Sequence, residues 1–270
     1  MSKTKQKVSV VMAEYNTNSL HFKEAVDSVL GQTYRDFEFI IVDDSGVDRV
    51  EKLLSKYSDD RIRVIKNPGN KGFVYALNNG IKNARGDYII RMDTDDIATR
   101  DRFETLVNYA VEHPEYAVVS SRAVEFSGKK EFGVIGKTGE KTKRDVMRGD
   151  VPVHAAAIMK KKEIEDIGLY KGDYLRAEDL ALWCDLLIAG KRLYMLDNVL
   201  YRYRVNSCDY EKRALRHRKG EIKARLHYYP KMGAGLVEYL RVVKSVIAGL
   251  LPAKVVRLYR NKFIVRKRVK

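Results

Sequence analysis

The sequence has little cysteine and little proline, and each shortage excludes a class of protein. Its two cysteines, Cys184 and Cys208, provide neither the paired spacing of a disulfide framework nor that of a metal knuckle. Five prolines in 270 residues, with 45% apolar residues, are not the composition of a disordered chain. The composition therefore predicts a folded globular protein of a reducing compartment.

Long apolar runs are also missing. The nearest candidate, SVIAGLLPA at 245–253, is far shorter than the about 20 residues that a membrane-spanning helix needs. At the N terminus, the apolar run Val8–Ala13 contains a serine and is short for the core of a secretory leader. We therefore expect a cytoplasmic protein.

Acidic residues are scarce in only one part of the chain. Residues 211–270 contain 18 basic residues (Lys and Arg) and 3 acidic residues (Asp and Glu). Residues 1–210 contain 34 basic and 33 acidic residues. A neutral body with a basic tail differs from a domain with a basic face, and no nucleic-acid-binding motif accompanies the charge. We therefore predict no nucleic-acid partner, and we place a boundary near Asp209 between the body, 1–209, and a basic amphipathic helical extension, 210–270.

The body alternates predicted strands and helices, which is typical of an α/β fold with a mostly parallel sheet between helices. The predicted strands before residue 100 are KVSVVMA, FEFIIVD, RIRVIKN and YIIRM, and the helices between them lie at 20–30, 50–57 and 70–86. We expect Gly86 to follow the third helix as its C′ residue. Later segments predict helices at 100–115 and 178–190 and strands at 116–128, 154–161 and 192–205. The polar stretch Lys129–Arg148 has several glycines and predicts a mobile loop.

Polar clusters end three of the predicted strands. They are Glu14-Tyr15-Asn16, Asp43-Asp44-Ser45-Gly46 and Asp93-Thr94-Asp95-Asp96. In open α/β sheets, ligands bind beyond the carboxyl ends of the parallel strands. The three clusters therefore predict one binding site at a single edge of the sheet.

The third cluster predicts a metal site. Asp93 and Asp95 are two residues apart, so in an extended segment both carboxylates point the same way. Carboxylates without nearby His or Cys suit Mg²⁺ or Mn²⁺, which proteins often share with substrate phosphates. The alternative is an acidic loop in which Asp96 caps the following helix. The position after an apolar strand, in line with two other polar strand ends, favours the metal.

Four segments resemble the successive signatures of the family 2 glycosyltransferases, which have the GT-A fold. They are VSVVMAEYN, SVLGQTYRDFEFIIVDDSG, NPGNKGFVYALNNGIKNARGDYIIRMDTDD and AEDLALW, and they occur in the family order between about Lys7 and Ser207. The resemblance implies a nucleotide-binding part at about 1–100 and an acceptor part at about 101–209. It also implies an inverting, metal-dependent transfer of a sugar from a nucleotide donor, most simply a UDP-sugar.

The resemblance assigns roles to individual residues on the nucleotide side. Ala13 and Tyr15 would lie beside the nucleotide, with Tyr15 stacked on the base. Asp44 would accept a hydrogen bond from the uracil N3–H, which suits a group that offers only acceptors. Asn70 and Lys71 would pass near the nucleotide and its phosphates.

Other assignments concern the acidic cluster and the strand near residue 204. Asp93 and Asp95 would form the DxD motif that holds Mn²⁺ or Mg²⁺ on the diphosphate, with Asp95 in direct contact and Asp96 as a possible further ligand. The segment YRYRVNS resembles a family element in which an arginine reaches the diphosphate, and we choose Arg204 over Arg202.

The acceptor side carries the predicted base. Glu178 and Asp179 fall in the first turn of a predicted helix, where the helix dipole favours ionised carboxylates. That electrostatic effect is one explanation of the pair. The resemblance offers another, with Asp179 as the general base and Glu178 holding the acceptor or orienting backbone. His154 is either an acceptor-side residue or a structural histidine.

Two readings of the basic extension remain open. Alternating apolar and basic residues suit an interfacial helix on an anionic membrane, so the enzyme would be peripheral on the inner face of the cell membrane. The alternative is a helix pair packed on the body, with a homodimer interface as one place for it. A membrane location agrees with a glycan or polyisoprenyl-linked acceptor, as in bacterial surface polysaccharide synthesis.

Two other functions fit the same architecture. A sugar-nucleotide nucleotidyltransferase usually has a glycine-rich phosphate loop near its N terminus, which VMAEYNTNS lacks. A non-catalytic scaffold that binds glycan or membrane would not need Asp44, Asp93, Asp95 and Asp179 together. The sequence therefore favours the glycosyltransferase.

Overall fold

A computed structural model describes residues 8–205 and 218–250. Its strands are β1 Val8–Glu14, β2 Phe37–Asp43, β3 Ile62–Lys66, β4 Tyr88–Met92, β5 Ile97–Ala98, β6 Tyr116–Ser127, β7 Lys130–Ile135, β8 Gly139–Lys141, β9 Ile158–Lys160 and β10 Arg192–Arg204. Its helices are α1 Ser19–Leu30, α2 Arg49–Leu54, α3 Phe73–Asn83, α4 Arg102–Glu112, α5 Lys143–Met147, α6 Lys161–Asp166, α7 Glu178–Ile188, α8 Lys219–Tyr228 and α9 Leu236–Leu250.

One sheet runs through the body in the order β3-β2-β1-β4-β9-β6-β10-β5, with β7 beside β6 and β8 beside β10. The first four strands are parallel, and β6 and β10 are also parallel, whereas β9 is antiparallel to both of its neighbours. Because β1, β2 and β4 are parallel, their carboxyl ends meet at one edge. The predicted convergence of the three polar strand ends is confirmed.

The sheet separates two hydrophobic cores. Along β1, Val11 faces one core while Val10 and Met12 face the other, as the alternation of a strand buried on both faces requires. Helices α3 and α7 pack on the first face, and α1 and α4 pack on the second. The predicted sheet between two helical layers is therefore confirmed.

Helix α3 lies close to the sheet at Gly80, which leads to a test of the packing. A Cβ on Gly80 would lie 2.6 Å from Val11 Cγ1 and 3.1 Å from Val42 Cγ2. We expect Gly80→Ala to lower the free energy of unfolding by about 1–3 kcal/mol through overpacking, measured by urea denaturation. Gly172→Ala is the matched control, because a Cβ there meets nothing within 4 Å. Equal stability of the two variants would contradict this packing.

Two local predictions were wrong. The stretch 129–148 is not a loop: it forms β7, β8 and α5, and β7 and β8 pair with the long strands β6 and β10. Glycine and charge suggested a loop, but β7 forms a local hairpin with β6, and β8 pairs with the distant strand β10. Gly86 is not the C′ residue of α3, which ends at Asn83 with Ala84 as its cap. The Gly86 amide instead donates to the Ser9 hydroxyl at 2.8 Å.

The extension is described only in part. Residues 206–217 and 251–270 lie outside the described residues, so the boundary near Asp209 stays a prediction. Helix α8 packs on the body through buried Ala224 and Tyr228, and the Tyr228 hydroxyl donates to Asp185 at 2.8 Å. Within residues 8–205 and 218–250, no helix is both long and apolar enough to span a membrane.

Candidate active site

A cleft of about 1410 Å³ opens beside the carboxyl end of β4. It brings together two groups of acids that are about eighty residues apart in the sequence. The predicted site residues that line it are Asp93, Asp95, Asp96, His154, Glu178, Asp179 and Arg204. The long strands β6 and β10 and the segment 134–155 supply much of the remaining wall.

The first acid after β4 is held by an arginine from the strand itself. Arg91 is buried, and its guanidinium forms an ion pair with the Asp93 carboxylate, which is about a quarter exposed. Ion pairing with Asp93 helps to hold the pKa of Arg91 above its usual value against the opposing effect of burial. Arg91 therefore offsets the charge of Asp93 and leaves Asp95 and Asp96 as the less compensated acids.

The ionised form of both Asp95 and Asp96 is energetically unfavourable, because the pKa of each carboxyl is raised. Burial raises the pKa of Asp95, and the nearby Asp93 carboxylate raises it further. Burial, with repulsion from Asp93 and Asp95, raises the pKa of Asp96 well above its usual range. Asp96 Oδ1 accepts from the Arg204 amide at 2.6 Å, while its buried Oδ2 has no hydrogen-bond partner. Such an arrangement favours a bound cation or a bound proton.

The alternative role for Asp96, as a helix cap, is excluded. The next helix, α4, begins six residues later, and its N-cap is Asp101. Asp96 is instead followed by the short strand β5, which pairs with β10 at Arg202 and Tyr201. The pairing brings β10 against the acidic loop.

Arg204 supports the acidic loop from β10. Its Nε donates to the Asp95 carbonyl at 2.5 Å, and its guanidinium also forms an ion pair with Glu24 at 2.6 Å. Arg202, by contrast, pairs with Glu131 at 3.3 Å and does not line the cleft. The structure thus places Arg204, and not Arg202, at the site. Contact of Arg204 with a diphosphate stays a prediction.

Glu178 and Asp179 begin α7 and line the same cleft. Ala177 is the N-cap and provides no side-chain cap, so the carboxyls of the first turn of α7 lie at the positive end of the helix dipole. Asp179 Oδ1 accepts from the Leu180 amide at 2.7 Å. Burial nevertheless raises the pKa of both carboxyls, and for Glu178 the neighbouring Asp179 adds to it. A carboxylate with a raised pKa is a better proton acceptor.

His154 also lines the cleft. It starts a 3₁₀ turn, His154–Ala156, where a strand was predicted. Its Nε2 is 2.6 Å from the Tyr170 hydroxyl, and its ring meets Trp183 edge-on at 5.8 Å. Burial and the nearby Arg91 charge hold the pKa of His154 well below its usual value, so the imidazole is neutral at neutral pH. Its acceptor role stays a prediction.

The residues predicted on the nucleotide side gather at the ends of β1 and β2. The Asp44 carboxylate accepts from Asn67 Nδ2 at 2.7 Å and from the Lys71 and Gly72 amides at 2.9 and 2.8 Å. The Asp44 amide donates to Glu14, the residue before Tyr15, at 2.7 Å. Asp44 thus organises the loop after β3, and Tyr15 is 53% exposed beside it.

The remaining residues predicted on the nucleotide side have fewer contacts that tie them to the cleft. Ala13 is half-buried at the end of β1, while Asn70 and Lys71 are exposed in the loop after β3. None of them lines the cleft, but the Thr17 and Thr94 hydroxyls, 2.5 Å apart, join the loop after β1 to the acidic loop. Their contacts with a nucleotide stay predictions.

The cleft also contains cations that the sequence did not single out. Besides Arg91, these are Arg122, Lys137, Arg148 and Arg176. Arg176 is exposed and has a φ of 63°, a left-handed backbone that is uncommon outside glycine. Its position two residues before Glu178 was the one sequence feature that could have indicated that Arg176 lies at the site. Arg122, Lys137 and Arg148 reach the cleft only because β6, the β7–β8 turn and α5 fold over it.

The acids fit a metal that is shared with a substrate. Within 8–205 and 218–250, no three acidic, histidine or cysteine side chains form a complete metal-binding group. Asp95 and Asp96 nevertheless provide hard oxygen donors, and the buried Oδ2 of Asp96 lacks a partner. Mg²⁺ and Mn²⁺ are typically held by one or two carboxylates, with phosphates and water as the other ligands.

Comparison with known proteins decides the family. The family model "Glycosyl transferase family 2" matches residues 9–165, more than half of the chain. The chain belongs to this family. It is therefore a glycosyltransferase, and the nucleotidyltransferase and scaffold alternatives are set aside.

Relatives of similar length extend the match beyond the family segment. EpsE of Bacillus subtilis is 29% identical over 97% of this chain and 96% of its own. An Escherichia coli enzyme is 29% identical over 99% of both chains, and its name is UDP-Gal:alpha-D-GlcNAc-diphosphoundecaprenol beta-1,3-galactosyltransferase.

A solved structure confirms the predicted GT-A type of fold. The mannosyltransferase PcManGT of Pyrobaculum calidifontis, in complex with GDP-Man and Mn²⁺, superposes with a TM-score of 0.69. The match covers 96% of this glycosyltransferase and 81% of that chain, at 17% sequence identity.

Proposed function

We propose that this glycosyltransferase is inverting and metal-dependent, and that it moves a sugar from a UDP-sugar to a hydroxyl of a lipid-linked saccharide. The observation that carries the proposal is the single cleft that both acid groups line, Asp93, Asp95 and Asp96 on one hand and Glu178 and Asp179 on the other. Full-length similarity to an enzyme named for a UDP-sugar donor and a diphosphoundecaprenol acceptor supports the choice of substrates.

In the proposed reaction, Asp179 is the general base. Its carboxylate takes the proton of the acceptor hydroxyl as the oxygen attacks the anomeric carbon from the side opposite the diphosphate. The new carbon–oxygen bond forms while the bond to the phosphate breaks, and the electron pair leaves with the nucleoside diphosphate. Attack from the opposite face inverts the anomeric carbon.

The carboxyls on the donor side would bind the metal ion. Asp95 and Asp96, with Asp93, would hold Mn²⁺ or Mg²⁺, and the ion when bound offsets the charge that grows on the diphosphate. Arg204 supports the loop that carries them through the Asp95 carbonyl and the Asp96 carboxylate. Glu178 would hold the acceptor beside Asp179. Tyr15, Asp44, Asn70 and Lys71 would receive the nucleotide.

A panel of nucleotides and nucleotide-sugars tests the donor side. We expect UDP or a UDP-sugar to raise the melting temperature only with Mn²⁺ or Mg²⁺ present. The reason is that the ion would lie between the negative carboxylates of the acidic loop and the negative diphosphate. Saturation at about 100 times Kd corresponds to about 2.7 kcal/mol of added stability. The control is the same panel with EDTA.

Product analysis tests the reaction. An α-linked donor should give a β-linked product on a soluble GlcNAc-diphosphate-lipid analogue, read from the anomeric coupling in the NMR spectrum. A product that keeps the donor's configuration would overturn the inverting mechanism. No transfer from any UDP-sugar, despite tight metal-dependent binding, would overturn the proposed acceptor.

A further inference from the structure

Helix α9 has an apolar face that points away from the protein. The exposed residues of this face, the α9 stripe, are Leu236, Val237, Leu240, Val243 and Ile247, and each is more than half exposed. Four of them recur at spacings of three and four, which places them in one row along the helix. A row of large apolar side chains on a surface marks a contact site.

The opposite face of α9 fixes the helix to the body. Val242 and Glu238 are buried there, so the stripe cannot turn inward without breaking these contacts. Glu238 accepts from Arg148 Nε at 3.3 Å and from the Gly235 amide at 3.1 Å. The Arg148 contact helps to hold the Glu238 pKa below its usual value. The fold thus holds the stripe toward the outside.

The charge of the surrounding sequence indicates what the stripe contacts. Residues 211–270 contain 18 basic and 3 acidic residues, and residues 251–270 contain 8 basic and no acidic ones. In the described part, Lys223 and Lys231 are exposed near α9 in the sequence. The body of a second copy is nearly neutral in total charge, whereas a bilayer with anionic lipids offers both a negative surface and an apolar interior.

We propose that the α9 stripe docks this enzyme on the surface of an anionic bilayer. Leucine, valine and isoleucine side chains enter the headgroup boundary, and the positive charge of residues 211–270 attracts the protein to the anionic headgroups. The Glu238 contact places the start of α9 beside Arg148, which lines the cleft. Resting on the proposed function, this arrangement brings the mouth of the cleft to the membrane in which a lipid-linked acceptor is embedded.

Vesicle co-sedimentation of the full chain tests the docking surface. We expect the protein to sediment with vesicles of phosphatidylglycerol and phosphatidylethanolamine, and to stay in the supernatant with phosphatidylcholine alone. Leu240→Glu combined with Ile247→Glu should weaken binding about tenfold or more, because two side chains lose burial and gain negative charge. Salt should weaken binding of the unaltered protein.

The control for each α9 substitution is Leu20→Glu, because Leu20 on α1 is 62% exposed, close to the 57% of Leu240, and gains one negative charge as each α9 position does. This control should bind vesicles like the unaltered protein, and thermal melting should show all variants folded. Equal binding by the α9 double variant, or no binding of the unaltered protein to anionic vesicles, would overturn the proposal. A dimer that the double variant dissociates would also overturn it, in favour of a second copy on the stripe.

Transfer to a water-soluble acceptor analogue separates this proposal from the proposed function. The double variant should keep that transfer while losing transfer to acceptor embedded in anionic vesicles. If the unaltered protein transfers no sugar to the soluble analogue but still binds vesicles through the stripe, the proposed function fails and the docking surface stands.

Discussion

Asp179→Asn is expected to reduce sugar transfer about 10²–10⁴-fold while nucleotide binding persists. The variant removes the proton acceptor but keeps the shape of the side chain. Its amide oxygen can still accept from the Leu180 amide, the bond that Asp179 Oδ1 makes at 2.7 Å. The first turn of α7 should therefore stay folded, and the loss should appear in kcat with little change in the KM for the donor.

The pH profile gives a second measure of the same residue. Burial raises the pKa of Asp179 above its usual value, and only the ionised carboxylate can take a proton. Activity should therefore fall as the pH decreases through that raised pKa, on a limb that lies above the reference of about 4. The residual activity of Asp179→Asn should lack this limb.

Glu178→Gln is the matched comparison for Asp179→Asn, because the two acids are adjacent in the same helical turn. Its effect should fall mainly on the KM for the acceptor, as expected of a side chain that holds the acceptor. Near-normal kcat in Asp179→Asn, or a larger kcat loss in Glu178→Gln, would remove Asp179 from the role of base.

Asp96→Asn is expected to stabilise the metal-free protein and to reduce transfer by about a hundredfold. The buried Oδ2 of Asp96 has no partner, and repulsion from Asp93 and Asp95 adds to the cost of its charge. An amide removes this charge, can donate toward the neighbouring acids, and can keep its oxygen on the Arg204 amide. We expect the free energy of unfolding to rise by about 1–3 kcal/mol in EDTA.

The pH dependence of that gain follows from the raised pKa of Asp96. In the folded state the carboxyl keeps its proton to a higher pH than in the unfolded state, so the unaltered protein loses stability as the pH rises between the two values. The advantage of Asp96→Asn should therefore be small in acid and grow toward neutral pH. Urea denaturation at several pH values measures it.

A nearby acid supplies the control for Asp96→Asn. Asp101, five residues later, is exposed, and its carboxylate accepts from the Thr99 hydroxyl at 2.8 Å. Asp101→Asn should change neither the stability in EDTA nor transfer by a comparable amount. A loss of stability in metal-free Asp96→Asn would show that the folded protein compensates the Asp96 charge.

The sequence alone determined the layered fold and the edge of the sheet that carries the site. Strands buried on both faces are mostly apolar, so FEFIIVD and YIIRM are recognisable without any structure, and the polar residues that follow them mark the carboxyl edge. The helix at Glu178 was equally recognisable, because its apolar residues recur at helical spacing. These signals depend on neighbours within a few residues.

Only the tertiary structure decided how the acids are compensated. Asp93 forms an ion pair with Arg91, which lies two residues earlier in the strand. The sequence pattern indicates only that position 91 is buried. Arg204 supports the acidic loop from 108 residues away, and Arg148 and Arg176 reach the cleft from separate segments. The stretch 129–148 became two strands and a helix because β6 and β10 offered pairing partners. The Arg91–Asp93 pair and the β6–β7 hairpin are local in the sequence, but the other contacts join distant residues, and such contacts leave no local pattern.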